Sequence, residues 1–329
     1  MIYIGQQLQA LNNYSSQAIC WLSIKIKGRR TPRNPMGHNC GKKTCIYCLG
    51  NGKKRSGLDR VFVGVFTDKA IKSLISAEPN QLIFEYDLLK ASFLAIRGTT
   101  IKRFNKNCML LFVDSGYKDW FLKEKINYSV AKEIDQHTCT YCNKEYIFVY
   151  KNKEGGKGMV PQFDHWFSKT DYPLLALSFY NLIPSCATCN TIKSKAKFNL
   201  NSFLHPYVDS NISSTYSFSY MPTGVHSNRI VFKKEGLNSK GINTVNALNL
   251  PMIYKGHSEK ELQDLIDLKY KYSENYLTIL LEKTFGDLGI SEQERFRLIF
   301  GIEIDEDNYH KRPFSKFKKD IIKVLKTIT

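Results

Sequence analysis

The hydrophobic pattern of this chain changes period several times, and each change predicts a different element. RVFVGVF (60–66) is a short apolar run between Asp59 and Thr67 and reads as a strand. DKAIKSLISAE (68–78) follows with helical spacing, and Thr67 or Asp68 could cap it. LIFEYDLLKASFLAI (82–96) predicts a second helix, CMLLFV (108–113) another buried strand, and KDWFLKEKI (118–126) a short helix. EYIFVY, NKEGGKG and MVPQFDHW (145–150, 152–158 and 159–166) read as a strand, a glycine-rich turn and a second strand. NLIP is a short strand starting at Asn181, and TCNTIKSKAK (188–197) opens a helix. YSFSY and RIVFKK (216–220 and 229–234) are strand-like. The rest is helical: SEKELQDLIDLKYKYSENYLTILLEK with Ser258 and Glu261 as a capping box, SEQERFRLIF with Ser291 and Glu294, and a closing PFSKFKKDIIKVLKT.

The class is therefore α+β, in four blocks. Residues 1–58 are basic, and Gly-, Pro- and Cys-rich from Gly28 onward, so mostly irregular. Residues 59–132 have an ordinary α/β texture, 133–206 hold two Cys-x2-Cys pairs, and 207–329 are mostly helical. No window is apolar for long enough to span a bilayer. The first residues lack the basic start and apolar run of a signal peptide, so the expected place is a reducing cytoplasm. There, nine cysteines read as metal ligands before disulfides.

Charge narrows the partner. The net charge is +18, which suits phosphates, and ten of those charges fall in residues 1–58, which contain no Asp or Glu. Arg29, Arg30, Arg33, Lys42, Lys43, Lys53, Lys54 and Arg55 are the candidate nucleic-acid contacts of that block, with Lys25 and Lys27. A run of charge is often only a solvated face, but here no acids are interleaved to neutralise it.

Cys139 and Cys142 are followed, after 43 residues, by Cys186 and Cys189. Two such pairs can close a tetrahedral site of four thiolates, which fills zinc's coordination and leaves no position for water; that zinc is expected to be structural. The chemistry must then lie in the loop it closes. Asp164 and His165 end the second strand, Asn181 comes 16 residues after His165, and Asn190 follows Cys189 on the helix. A strand pair, a zinc knuckle and a helix would bring those four together. Asn190, Lys193 and Lys197 are expected on one helix face, and Lys193, Lys195 and Lys197 offer phosphate contacts.

FDHWFSKTDYPLLALSFYNLIPSCATCNTIKSK resembles the signature of the HNH, or ββα-metal, endonucleases: Asp-His, a loop, Asn-Leu-hydrophobic-Pro, then Cys-x2-Cys-Asn-x2-Lys. The resemblance covers about seventy residues, from Cys139 to Pro206, with Asn190 as the last letter where others carry His. It implies that His165 is a general base, that Asp164 and Asn190 hold one catalytic Mg²⁺ or Mn²⁺, and that Asn181 steadies the loop and orients His165. Chemistry alone points the same way. Cutting a phosphodiester needs an activated water, which an imidazole can supply, and a hard cation on oxygen ligands at the leaving oxygen. His137 is expected to be a bystander, and His205 and Cys108 packing residues.

His38, Cys40, Cys45 and Cys48 form a second cluster. It could hold a second structural zinc or remain as loose reduced thiols; Cys20 could replace His38, and pairing of Cys45 and Cys48 with Cys139 and Cys142 is a further arrangement. The pieces IYKGH (253–257) and RPFSKFKKDII (312–322) are similar to bacterial HNH proteins that work beside an ATPase in anti-phage defence, such as Septu-type systems. GGKG lacks the spacing of a phosphate-binding loop, so an ATPase would be a separate chain. The expected function is metal-dependent cleavage of DNA. The alternatives are RNA, such as tRNA, cut by the same mechanism, or a zinc module that only binds nucleic acid.

Overall fold

The computed structural model describes residues 1–150, 158–194, 196–225, 227–270, 279, 283 and 289–327. The chain forms two compact units that are discontinuous in sequence. A helical unit comprises Gln6–Ile134 and Phe163–Ile183, and a mixed unit Met1–Gly5, Asp135–Gln162 and Pro184–Thr329. The chain passes between them within two short paired strands, β1 (Gln162–His165) and β2 (Leu182–Ser185).

The helical unit is built on α1 (Leu8–Lys27), a 20-residue helix inside the block expected to be mostly irregular. Irregular backbone does follow, from Gly28, whose φ of 77° ends the helix. Tyr14, Ala18, Trp21 and Leu22 of α1 are buried, and Trp21 stacks on Trp120 with ring centroids 5.2 Å apart. After the one-turn α2 (Ile46–Leu49) come α3 (Arg60–Gly64), α4 (Asp68–Ser76), α5 (Pro79–Leu94) and α6 (Ile101–Cys108).

Two expected strands are helices. RVFVGVF forms α3 because the Asp59 carboxylate accepts the Val61 N–H (2.8 Å) and ion-pairs with Arg103. That start turns Phe62 inward against Phe66, Phe93 and Phe104. CMLLFV continues α6 as a helix over Met109–Lys123 with turns widened to the i→i+5 pattern, and it absorbs KDWFLKEKI as far as Lys123. Short apolar runs do not distinguish a buried strand from a buried helix; tertiary packing decides. α4 behaves as expected, with the Thr67 hydroxyl accepting the Ala70 N–H, and α7 (Ile126–Ile134) completes the unit.

In the mixed unit, EYIFVY makes only isolated bridges among the described residues, Thr138 with Tyr146 and Tyr150 with Met159. Most of the turn expected at 152–158 lies outside the described residues. Beyond α8 (Ala187–Lys193), the antiparallel pair β3 (Tyr216–Gly224) and β4 (Ser227–Lys234) is where the alternation placed it, with Phe218 opposite Phe232. Helices α9 (Lys240–Ala247), α10 (Leu250–Lys255), α11 (Gln263–Tyr270), α12 (Glu292–Phe300) and α13 (Ser315–Thr327) follow. Phe317 of α13 packs on Phe218 and Tyr254, and Asp320 accepts the Phe218 N–H.

The capping box at Ser291 and Glu294 is present. The one expected at Ser258 is not: its hydroxyl accepts the Ile230 N–H (3.3 Å), so β4 claims it. No helix among the described residues is long and apolar enough to cross a membrane.

Candidate functional site

Two groups of four cysteines gather their sulfurs, each group within 4.8 Å, and each lies inside one unit. Tetrahedral zinc with bonds of 2.3 Å asks for sulfurs about 3.8 Å apart. The Cys40 and Cys48 sulfurs stand 3.6 Å apart, so the donor sets fit zinc. The pairing across the two clusters considered from sequence is excluded.

In the mixed unit the group is Cys139, Cys142, Cys186 and Cys189, as the spacing indicated. The knuckle turns through Asn143, in the left-handed region at φ 51°, which Asn tolerates better than most residues. Backbone N–H groups point at the sulfurs: Lys144 at Cys142 (3.4 Å), Cys186 at Cys139 (3.3 Å) and Cys189 at Cys186 (3.4 Å). Hydrogen bonds among the four thiols, those with Cys139 first, hold Cys142 and Cys186 below the ordinary thiol range and Cys189 above it, and burial pushes Cys139 up. Such donors favour thiolates and hence a soft cation.

The C-terminal residues close over this knuckle. Tyr254 donates to the Cys142 carbonyl (2.6 Å), and Asn143 donates to the carbonyls of Tyr309 (2.9 Å) and Arg312 (3.1 Å). The Phe314 N–H returns to the Asn143 carbonyl (2.7 Å). IYKGH and RPFSK thus hydrogen-bond the Cys142–Asn143 turn of this cysteine group. His137 pairs with Asp135 and is no ligand, while His205 is buried in packing.

In the helical unit the fourth partner of Cys40, Cys45 and Cys48 is Cys20, supplied by α1. This corrects the first choice of His38, whose Nε2 instead lies 3.5 Å from the Cys20 sulfur. A helix residue can reach a cluster that sequence spacing does not connect to it.

Asp164, His165 and Asn181 come together in the helical unit, nearly buried. Asn181 is fully enclosed and braces the loop after His165: Oδ1 accepts the Phe167 N–H (2.6 Å), and Nδ2 donates to the carbonyls of Leu175 (2.9 Å) and Phe167 (3.2 Å). The loop is anchored beyond that by Tyr14 to the Leu177 carbonyl (2.7 Å) and by Ser178 to that of Leu74 (2.5 Å).

His165 Nε2 lies 3.1 Å from the Ala176 carbonyl. A carbonyl only accepts, so Nε2 carries the hydrogen, and in the neutral ring Nδ1 holds the lone pair.

Two residues missed from sequence support this arrangement. Tyr117, on the wide helix, sets its ring against His165 (centroids 4.4 Å apart) and donates its hydroxyl to the Phe163 carbonyl (2.8 Å). Burial first, then the charge of Asp164, pushes the Tyr117 hydroxyl far up, so it stays a donor. Beside it Gly116 leaves no room for a side chain, since a Cβ there would stand 2.6 Å from Leu177. No local pattern marks either residue. The Lys169 ammonium sits over the Tyr117 ring at 5.1 Å; burial lowers its pKa and Asp164 opposes that shift.

Asn190 belongs to the mixed unit, on α8, where its Nδ2 donates to Gln162 Oε1 (2.7 Å). Lys193 is buried with its ammonium over Phe198 (5.0 Å). The helix ends at Lys193, so Lys197 does not continue its face; Lys195 lies outside the described residues. In the basic block Arg30, Arg33, Lys42, Lys43, Lys53 and Lys54 are exposed and Arg55 is half-buried. Arg29 instead turns inward, donating to the carbonyls of Leu49 (3.1 Å) and Gly50.

No protein-family description matches this chain, and no solved structure matches it. It is similar to the Septu protein PtuB of Bacillus thuringiensis, 27% identical over 130 residues. The match takes in 35% of this chain and 48% of that protein, so the chain spans about half the length of the curated relative it matches.

Proposed function

We propose that this protein is a metal-dependent endonuclease of the HNH type that hydrolyses phosphodiester bonds in DNA. The observation that carries the reading is the His165 ring, with Nε2–H given to the Ala176 carbonyl and Asn181 bracing the loop between them. In that tautomer Nδ1 is the ring nitrogen able to accept a proton. His165 takes a proton from water, the water oxygen bonds to phosphorus, and the bond to the leaving oxygen breaks. Asp164 would supply a carboxylate oxygen to Mg²⁺ or Mn²⁺, a hard cation suited to oxygen donors. When bound, that ion neutralises charge building on the phosphate and the leaving oxygen. In this reading the exposed cations of the N-terminal block contact phosphates, with Lys197 of the mixed unit as a further contact.

Similarity to a Septu protein supports a role in defence against phage; the partner in this reading is a separate ATPase chain. The test is incubation with plasmid, single-stranded DNA and tRNA, with and without Mg²⁺ or Mn²⁺. Metal-dependent nicking or linearisation of plasmid is expected; metal-dependent cutting of tRNA alone would make RNA the substrate.

A further inference from the structure

The second cysteine cluster shapes a surface that the proposed chemistry leaves unused. Cys45 precedes the one-turn α2 and Cys48 lies within it, while Ile46 and Leu49 face solvent at 69% and 62% exposure. Three residues apart, they share one face. A four-residue helix does not persist by itself. This one is held by its two cysteines, by Arg29 on the Leu49 and Gly50 carbonyls, and by Trp120 donating to the Tyr47 hydroxyl (2.8 Å). So much bracing keeps two apolar side chains pointed at water. Lys42 and Lys43 precede the tip, Lys53 and Lys54 follow it, and all four are exposed. Residues 1–58 contain no acid, so the segment that carries the apolar tip is wholly cationic; Glu124 of the wide helix's end lies on the Tyr47 and Gly52 side of it.

Duplex DNA offers the complement of both parts: phosphates for the lysines and, between adjacent base pairs, flat apolar faces. We infer that Ile46 and Leu49 form an apolar wedge, held by the N-terminal cysteine cluster, that inserts at a base step of duplex DNA and bends it. The inference rests on the nucleic-acid reading above but not on cleavage.

The test uses the full chain with zinc, a short duplex labelled at both ends, and a series of salt concentrations. Ile46→Ser with Leu49→Ser should weaken binding about tenfold at every salt concentration, because apolar contacts release no counterions. The salt slope should stay unchanged and the bend read by energy transfer between the labels should disappear. Ile46→Met with Leu49→Met should keep both affinity and bend. Lys42, Lys43, Lys53 and Lys54 all changed to Gln should instead flatten the slope.

If the serine pair keeps its zinc and still binds and bends like wild type, the wedge is refuted. A serine pair that loses the salt slope along with affinity also overturns it, since the tip would then only position the lysines. If the serines displace zinc, Ile46→Ala with Leu49→Ala carries the same comparison. A wild-type chain that binds no duplex overturns the nucleic-acid reading itself, whereas an active His165→Ala variant overturns only the chemistry.

Discussion

Replacing Asn181 with alanine should unhinge the loop that carries the proposed base. The side chain is fully buried and makes three hydrogen bonds to backbone groups of Phe167 and Leu175. Each such bond nets about 1 kcal/mol, and leaving the buried Phe167 N–H without a partner adds about 1–3 kcal/mol. The expected loss is therefore on the order of 4–6 kcal/mol, a large share of a domain's usual ~5–15 kcal/mol. Asn181→Asp should be worse still. It keeps an acceptor for Phe167 but turns a carboxylate toward the Leu175 and Phe167 carbonyls, burying a repelled charge. All three tryptophans, Trp21, Trp120 and Trp166, lie in the helical unit, so tryptophan fluorescence in urea reports that unit alone. An alanine variant within about 1 kcal/mol of wild type, or an aspartate variant more stable than the alanine one, would refute the bracing role.

Gly116→Ala should cost about 1–3 kcal/mol and lower cleavage, because its Cβ would press on Leu177 next to the Ala176 carbonyl; urea midpoints and plasmid assays check both. Cys142→Ser should unfold the mixed unit, as a structural zinc contributes on the order of 10 kcal/mol in small sites, and metal analysis should fall from two zincs per chain. Cys20→Ser should lose the N-terminal zinc while His38→Ala keeps it, since Cys20 is the fourth thiol of that group. Burial, with Lys311 and His137 adding to it, holds the His310 imidazole below its ordinary value of about 6.5. The unfolded chain therefore binds that proton first, so this contribution is complete above about pH 6.5 and is lost as pH falls below it. His310→Gln should flatten thermal melting against pH in that window.

The parts legible in the sequence were those fixed by close spacing. The Cys139/Cys142 and Cys186/Cys189 pairs stand where two knuckles must meet, and Thr67 and Ser291 cap the helices they precede. β3 and β4 followed their alternation. What failed was decided by distant packing. Phe62 and the run from Met109 are apolar enough for strands; the Asp59 cap and packing of Phe62 on Phe66, Phe93 and Phe104, and of Phe112 on Phe66, go with their helical form, and the runs themselves do not record those contacts. The face expected to join Lys197 to Asn190 failed because α8 stops at Lys193. Tyr117 and Gly116 matter through contacts more than 40 residues away in sequence, which no periodicity records.

The central claim is that His165 is the base of a phosphodiester hydrolysis, and one measurement addresses it most directly. Supercoiled plasmid is incubated with Mg²⁺ or Mn²⁺ and either wild type or His165→Ala, both checked for equal zinc content and equal tryptophan fluorescence. The account predicts nicked or linear product from wild type and a rate at least about a hundredfold lower from the variant, the usual span of a lost general base. A zinc-loaded His165→Ala protein that cuts at the wild-type rate would contradict it.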